Sequence, residues 1–167
     1  MIKKTARKAS MALKNELGLK QGFKEPAHEA LLNVYYTASM MKKKADVFFT
    51  QYGLTDVQFN LLTLLYFHSG PQGGLSQAQI SDMMLVNRAN ITSLVDRMEK
   101  AGSVTRNAHD KDRRFNIVKL TTKGKNLFET VEPIYIKETK RIMKPLRQTQ
   151  MKTLMGILEQ VRGGLKV

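Results

Sequence analysis

Between Gly102 and Gly124 the sequence reads GSVTRNAHDKDRRFNIVKLTTKG. Two short alternating stretches, Ser103–Asn107 and Asn116–Leu120, flank a turn that carries Asp110, Lys111, Asp112, Arg113 and Arg114. A hairpin tip needs only turn formers, so this density of charge points to a partner. Just upstream, Arg88, Asn90, Thr92 and Ser93 place guanidinium, amide and hydroxyl groups within six residues. Groups of these kinds hydrogen-bond base edges in a major groove. Arginines at a hairpin tip suit phosphates or the concentrated negative potential of a narrow minor groove. Asp112 would then orient an arginine, Arg114 two residues on, and Lys111 and Arg113 would lie near phosphates. This is the chemistry of recognition, not of bond breaking.

Catalytic and metal signals are missing. The chain has no cysteine, which excludes disulfides, thiol nucleophiles and zinc–thiolate sites. Its three histidines, His28, His68 and His109, are scattered, and they are expected to be structural or exposed. No glycine-rich phosphate loop and no metal-spaced cluster is visible. The reading is therefore not an enzyme, with no cofactor and no metal.

Charge supports a polyanionic partner. The formal net charge is +14 over 167 residues, with a pI near 10.1. Residues 1–25 hold 7 Lys/Arg against 2 Asp/Glu, 26–60 hold 3 against 3, 61–121 hold 8 against 5, and 122–167 hold 10 against 4. The excess is thus spread through the body and not confined to one tail. Nucleic acid comes first among partners for such a field, and an anionic membrane surface second. Lys42–Lys44 reads as a solvated helix face. No apolar run approaches the roughly 20 residues of a membrane helix, and the basic start lacks the long apolar stretch of a secretory signal. A cytoplasmic protein without membrane contact is expected.

The elements that position these residues follow from periodicity. At 42% hydrophobic the chain can bury a core. Residues 1–25 form a basic arm interrupted by Gly18 and Gly22. Leu31, Val34, Tyr35, Ala38, Met41, Ala45, Phe48 and Tyr52 recur at three- and four-residue spacing, predicting a helix over 27–51 that Gly53 stops. Thr55 or Asp56 caps a densely apolar helix through Phe67, and SGPQGG (69–74) is a turn. Ser76 caps a short helix, SQAQISDMML, with Ile80, Met83 and Met84 on one face, and Val86 and Asn87 break it. Asn87 caps the next, whose inner stripe is Ile91, Leu94, Val95 and Met98, and Gly102 ends it in a left-handed turn. The two strands follow. Thr121 or Thr122 then caps a helix to about Leu146, kinked at Pro133 and ended by Pro145. A last helix carries Leu154, Ile157, Leu158 and Val161. The ten methionines are core filler at helical spacing.

Two short helices meeting at a tight break, then a glycine and a hairpin, describe a winged helix–turn–helix. Its second short helix enters the major groove by its N-terminal end. Ser76 and Gln77 open the helix before it, where free N–H groups and the positive dipole end suit a phosphate. In GLTDVQFNLLTLL (53–65), LSQAQISDMM (75–84), NRANITSLVDRMEKAGSVTR (87–106) and HDKDRRFNIVKLTTKG (109–124), the sequence resembles the MarR family of bacterial transcription regulators. The Asp-Arg-Arg wing followed by an alternating strand and Leu-Thr-x-x-Gly is the sharpest part, and the likeness spans about residues 27–165.

The resemblance implies a mainly α fold with a small β-hairpin wing. It divides the chain into a winged helix–turn–helix lobe at 53–122 and dimerisation helices at 26–52 and 123–165. It implies a homodimer that regulates transcription, as a repressor, from palindromic double-stranded DNA. DNA contacts would fall on Ser76, Gln77, Asn87, Arg88, Asn90, Thr92, Ser93, Lys111, Asp112, Arg113 and Arg114. Relatives often bind small aromatic acids, here between Tyr35, Phe59, Leu62 and Tyr66, although plain core packing accounts for each of these equally well. Peroxide sensing through cysteine is excluded. Ser103 stands where relatives carry a larger apolar residue, so loose packing of the first wing strand is expected. A charge-driven architectural nucleic-acid binder is the alternative, and the basic arm allows it.

Overall fold

A computed structural model of the protein describes residues 13–68, 73–108 and 116–165. The described residues divide into two compact units, with the boundary between Asp56 and Val57. In the first, one helical turn at 13–16 precedes helix α1, Pro26–Thr50. Pro26 sits in the first turn, where its missing N–H costs nothing. Lys42 pairs with Asp46 one turn on, at 3.6 Å, and lies 3.9 Å from Asp56. Among the residues of α1 only Phe49 is buried.

The second unit runs α2 (Asp56–His68, from its second residue), β1 (Leu75–Ser76), α3 (Gln77–Met84), α4 (Arg88–Lys100), β2 (Val104–Ala108), β3 (Asn116–Leu120), α5 (Thr122–Met143) and α6 (Gln148–Gly163). Its sheet is antiparallel, in the order β1-β3-β2. Val104 pairs with Leu120 at one end of the hairpin and Ala108 with Asn116 at the other. β1 adds the pairs Leu75 with Val118 and Ser76 with Ile117. This third strand is absent from the sequence-based expectation. It is two residues long, too short to alternate, and its paired residues lie 43 and 41 positions away.

The core of this unit is assembled from one face of each element. Leu61, Leu62 and Leu65 of α2, Ile80 of α3, Ile91, Leu94, Val95 and Met98 of α4, Val104 and Val118 of the sheet, and Phe128 and Val131 of α5 are all buried. The α4 stripe has the i, i+3, i+4, i+7 spacing of a helix with one apolar side. Each such side chain contributes roughly 1.5–3 kcal/mol by leaving water. Phe67, at the end of this densely apolar helix, stands exposed.

The wing is fastened to α5 by close backbone contacts. Gly102 adopts φ 72° and turns the chain out of α4. The Ser103 N–H donates to the Met98 carbonyl at 2.9 Å, and the Ser103 carbonyl accepts the Thr121 N–H at 3.2 Å. The Thr121 hydroxyl donates to the Gly102 carbonyl at 2.7 Å and accepts the Gly124 N–H at 3.0 Å, capping α5. A Cβ on Gly124 would stand 1.9 Å from the Ser103 carbonyl oxygen. The Leu-Thr-x-x-Gly signature therefore has a physical basis: Thr caps the helix, and Gly lets α5 press against the end of α4. Ser103 itself lies just before β2 and is buried, and Val104 fills the apolar position.

α5 runs through Pro133, as expected, although that residue cannot donate to the Glu129 carbonyl, and it stops at Met143, short of the expected Leu146. The break after α3 falls on Leu85, at φ 53° and ψ 41°. A left-handed conformation costs an L-residue with a Cβ roughly 1–2 kcal/mol. Among the described residues no helix is long and apolar enough to cross a membrane.

Candidate nucleic-acid interface

The two short helices are built from reciprocal caps. The Ser76 hydroxyl accepts the Gln79 N–H at 3.2 Å, and the Gln79 side-chain oxygen accepts the Ser76 N–H at 2.8 Å. That is a complete capping box on α3. On α4, the Asn87 side-chain oxygen accepts the Asn90 N–H at 3.0 Å. Between the helices the backbone closes on itself. The Ser81 hydroxyl donates to the Val86 carbonyl at 2.5 Å, and the Val86 N–H donates back to the Ser81 carbonyl at 3.1 Å.

The expected contact residues sort into two kinds. The Thr92 hydroxyl lies 2.9 Å from the Gln77 side-chain oxygen and 3.0 Å from the Arg88 carbonyl, so its one proton is shared between them. The Ser93 hydroxyl donates to the Ala89 carbonyl at 3.2 Å. Ser76, Gln77, Asn87, Thr92 and Ser93 thus spend side-chain bonds on holding α3 and α4. Arg88 and Asn90 lie exposed in the first turn of α4, and among the described residues no partner engages their side-chain ends. Their base is the buried stripe of α4, so the helix offers two long polar groups on a rigid support. Lys111, Asp112, Arg113 and Arg114 lie outside the described residues.

One anchor escaped the sequence. Arg106 on β2 reaches back to α4. Its guanidinium stands 2.5 Å from Asp96 and 3.3 Å from Glu99, and it donates to the Thr92 carbonyl at 3.2 Å. Its own N–H donates to the other Glu99 oxygen at 3.0 Å. Glu99 therefore grips both backbone and side chain of one residue, and the planar guanidinium spans three acceptors at once, as a lysine cannot. The Nε of Arg106 is buried without a partner among the described residues. The signal lay in Asp96 and Glu99, three apart on one helix face, followed by an arginine within a strand. Only the fold says that they meet.

Of the four residues expected around a small ligand, Tyr35 belongs to the first unit and Phe59, Leu62 and Tyr66 to the second. Phe59 and Leu62 are core residues, and Phe59 stacks on Phe128 with ring centres 5.6 Å apart. Tyr66 packs on Phe128 at 4.5 Å and donates its hydroxyl to Glu129 at 2.9 Å. That hydrogen bond, reinforced by burial and by the charges of Glu129 and Glu132, raises the phenol above its ordinary pKa. Tyr35 is exposed on α1, in the first unit. Among the described residues no group of three or more His, Asp or Glu could hold a metal ion.

A capped short helix, a tight turn, a second capped helix and a three-stranded antiparallel sheet make a winged helix–turn–helix. Comparison with known proteins places it further. The model of the MarR family matches residues 52–114. The chain is 30% identical over 111 residues to the HTH-type transcriptional regulator MhqR of Bacillus subtilis, covering 66% of this chain and 74% of that one. It is 27% identical over 124 residues to the HTH-type transcriptional regulator PecS of Dickeya dadantii, covering 72% and 74%. In fold it is similar to S. aureus MepR, whose structure was solved as a DNA complex, with TM-score 0.75 at 23% identity over 82% of this chain and 98% of that one. The chain belongs to the MarR family. It is a DNA-binding transcription regulator and not an enzyme.

Proposed function

We propose that the protein binds as a homodimer to a palindromic operator and represses the genes beside it. The carrying observation is the first turn of α4: Arg88 and Asn90 exposed and unengaged among the described residues, on a helix whose other side is fully buried. Guanidinium and amide groups in this position discriminate bases by hydrogen bonds to their edges. In this reading Ser76 and Gln77 meet phosphate at the N-terminal end of α3, while Asn87 and Ser93 hold the first turns of α4 and Thr92 ties it to α3. Lys111, Asp112, Arg113 and Arg114 of the wing lie along the adjacent backbone or minor groove. Support for a dimer comes from apolar side chains that the chain leaves uncovered. Leu31, Val34 and Tyr35 on α1, and Leu154, Ile157 and Val161 on α6, are all exposed, each set on one side of its helix. Scattered leucines need no explanation, but helix faces this rich in apolar groups mark interfaces. Residues 26–52 and 123–165 would form the dimer helices, and 53–122 the DNA-binding lobe.

Release by a small aromatic acid completes the proposal. Such a ligand acts only through its preference for a dimer with misplaced recognition helices.

The test is capture of genomic fragments by the purified protein at physiological salt. The expected result is a recurring inverted repeat with half-sites about one helical turn apart. Uniform recovery of all sequences, with a steep salt slope, would instead favour the architectural binder that the charge of +14 allows.

A further inference from the structure

The turn between α3 and α4 ends in a residue that is wrong for its conformation and wrong for its exposure. Leu85 occupies the left-handed region at φ 53° and ψ 41°, and among the described residues it is alone in doing so without being glycine. Glycine or asparagine ordinarily takes such a position. Leu85 is also 92% exposed, the highest value among the large hydrophobic residues described. Folding therefore gains nothing from its side chain and is opposed by its backbone. A residue doubly disfavoured in the free protein points to a contact made elsewhere.

The surroundings say where. Leu85 stands two residues before Asn87, the cap of α4, and three before Arg88. Its own N–H is held by the Asp82 and Ser81 carbonyls, and the residue after it is locked by the reciprocal bonds between Ser81 and Val86. The leucine is thus presented outward on a closed, hydrogen-bonded turn. Met83, half exposed beside it, widens the apolar surface. If Arg88 and Asn90 lie in a major groove, this turn lies at the groove's edge. The apolar group of a duplex at that place is the 5-methyl of thymine.

We propose that Leu85 is a specificity-determining residue that packs on a thymine methyl in each operator half-site. The inference rests on the DNA-binding reading given above. It assigns the preference to an apolar contact, in addition to the hydrogen bonds of Arg88 and Asn90. Because the backbone beneath it is already held, the contact has only the leucine side chain left to order.

The experiment combines two changes. DNA selected from a random pool by the full-length protein gives a consensus duplex, and each thymine in it is replaced in turn by deoxyuridine, which removes only the methyl. With the unaltered protein, one position per half-site should lose about fourfold in affinity, the value of one buried methyl. With Leu85→Gly, consensus affinity should fall by a similar factor, and the same deoxyuridine should then cost nothing. Leu85→Asn, which also tolerates the left-handed turn, should behave alike. Neither variant should lower Tm, because both relieve the backbone.

The proposal is overturned if no deoxyuridine weakens the unaltered protein, or if the variants keep the same sensitivity to it. A lowered Tm in both variants overturns it too, by giving Leu85 a structural role. If the selected duplex binds no better than a scrambled one, the sequence-specific reading fails first, before any thymine is altered.

Discussion

Asn87 shows how much a single side chain decides at this interface. Its carbonyl oxygen caps α4 by accepting the Asn90 N–H, and that fixes the first turn from which Arg88 projects. Asn87→Ala should cost about 1 kcal/mol, which lowers Tm by roughly 2–4 °C in a chain of this size. Operator affinity should fall too, because the fraying turn is the one that carries Arg88 and Asn90. Calorimetry and a binding titration on the same preparation check the pair of effects, and a drop in Tm with unchanged affinity would detach this turn from DNA. Arg114→Ala addresses the wing in the same way. It should weaken operator binding while leaving Tm and the sedimentation of the protein unchanged, and unaltered affinity would count against a wing contact. The cap was legible in the sequence, for Asn87 stands just ahead of α4 as expected. What could not be read was the division of labour. Thr92 and Ser93 look like base readers in sequence, yet their hydroxyls are spent on Gln77 and on helix carbonyls. Leu85 was equally hidden, because the sequence carries no glycine or asparagine to mark its left-handed turn.

At the scale of elements, what matters is that α4 and β2 are tied together. Arg106 ties β2 to α4 through Asp96, Glu99 and the Thr92 carbonyl, and Thr121 with Gly124 ties the end of the wing to α5. Arg106 is only partly exposed, so its ion pairs are screened less than a surface pair. Arg106→Lys keeps one charge but loses the fork. It should reduce operator affinity several-fold with a small loss of stability, and Glu99→Gln should do the same. Combined, the two should cost less than the sum of the single changes, because both break one network. Strict additivity in a double-mutant cycle of operator affinity would dissolve that network. Gly124→Ala should be far worse for the fold. The new methyl meets a backbone oxygen, not the end of a flexible side chain, and about 3 kcal/mol of destabilisation is expected by urea unfolding. The helices here were legible because period and caps agree: Ser76, Asn87 and Thr121 each cap as their positions suggest. β1 was not, since two residues pairing with partners 43 and 41 positions on leave no local pattern. Nor was the meeting of Asp96 and Glu99 with Arg106, which the hairpin geometry alone creates.

For the whole molecule, the question is what covers α6. None of the residues of α6 is buried, although it carries Leu154, Met155, Ile157 and Val161. Its periodicity predicted the helix correctly from sequence, but periodicity names only an apolar face and not its neighbour. A second copy of the chain is the proposed cover. Charge placed on that face should then separate the copies without unfolding either. Ile157→Glu with Val161→Glu alters two exposed positions, so the helical signal of the protein should persist while sedimentation shifts from dimer to monomer. Operator affinity should collapse with it, because each monomer retains one half-site and loses the linkage that makes binding to two half-sites tighter than to either. Removing the chain after Pro145 should have the same effect on assembly by deleting α6 altogether. If the double glutamate variant still sediments as a dimer and binds the operator as before, α6 is not the dimer face, and its apolar groups must meet a different partner.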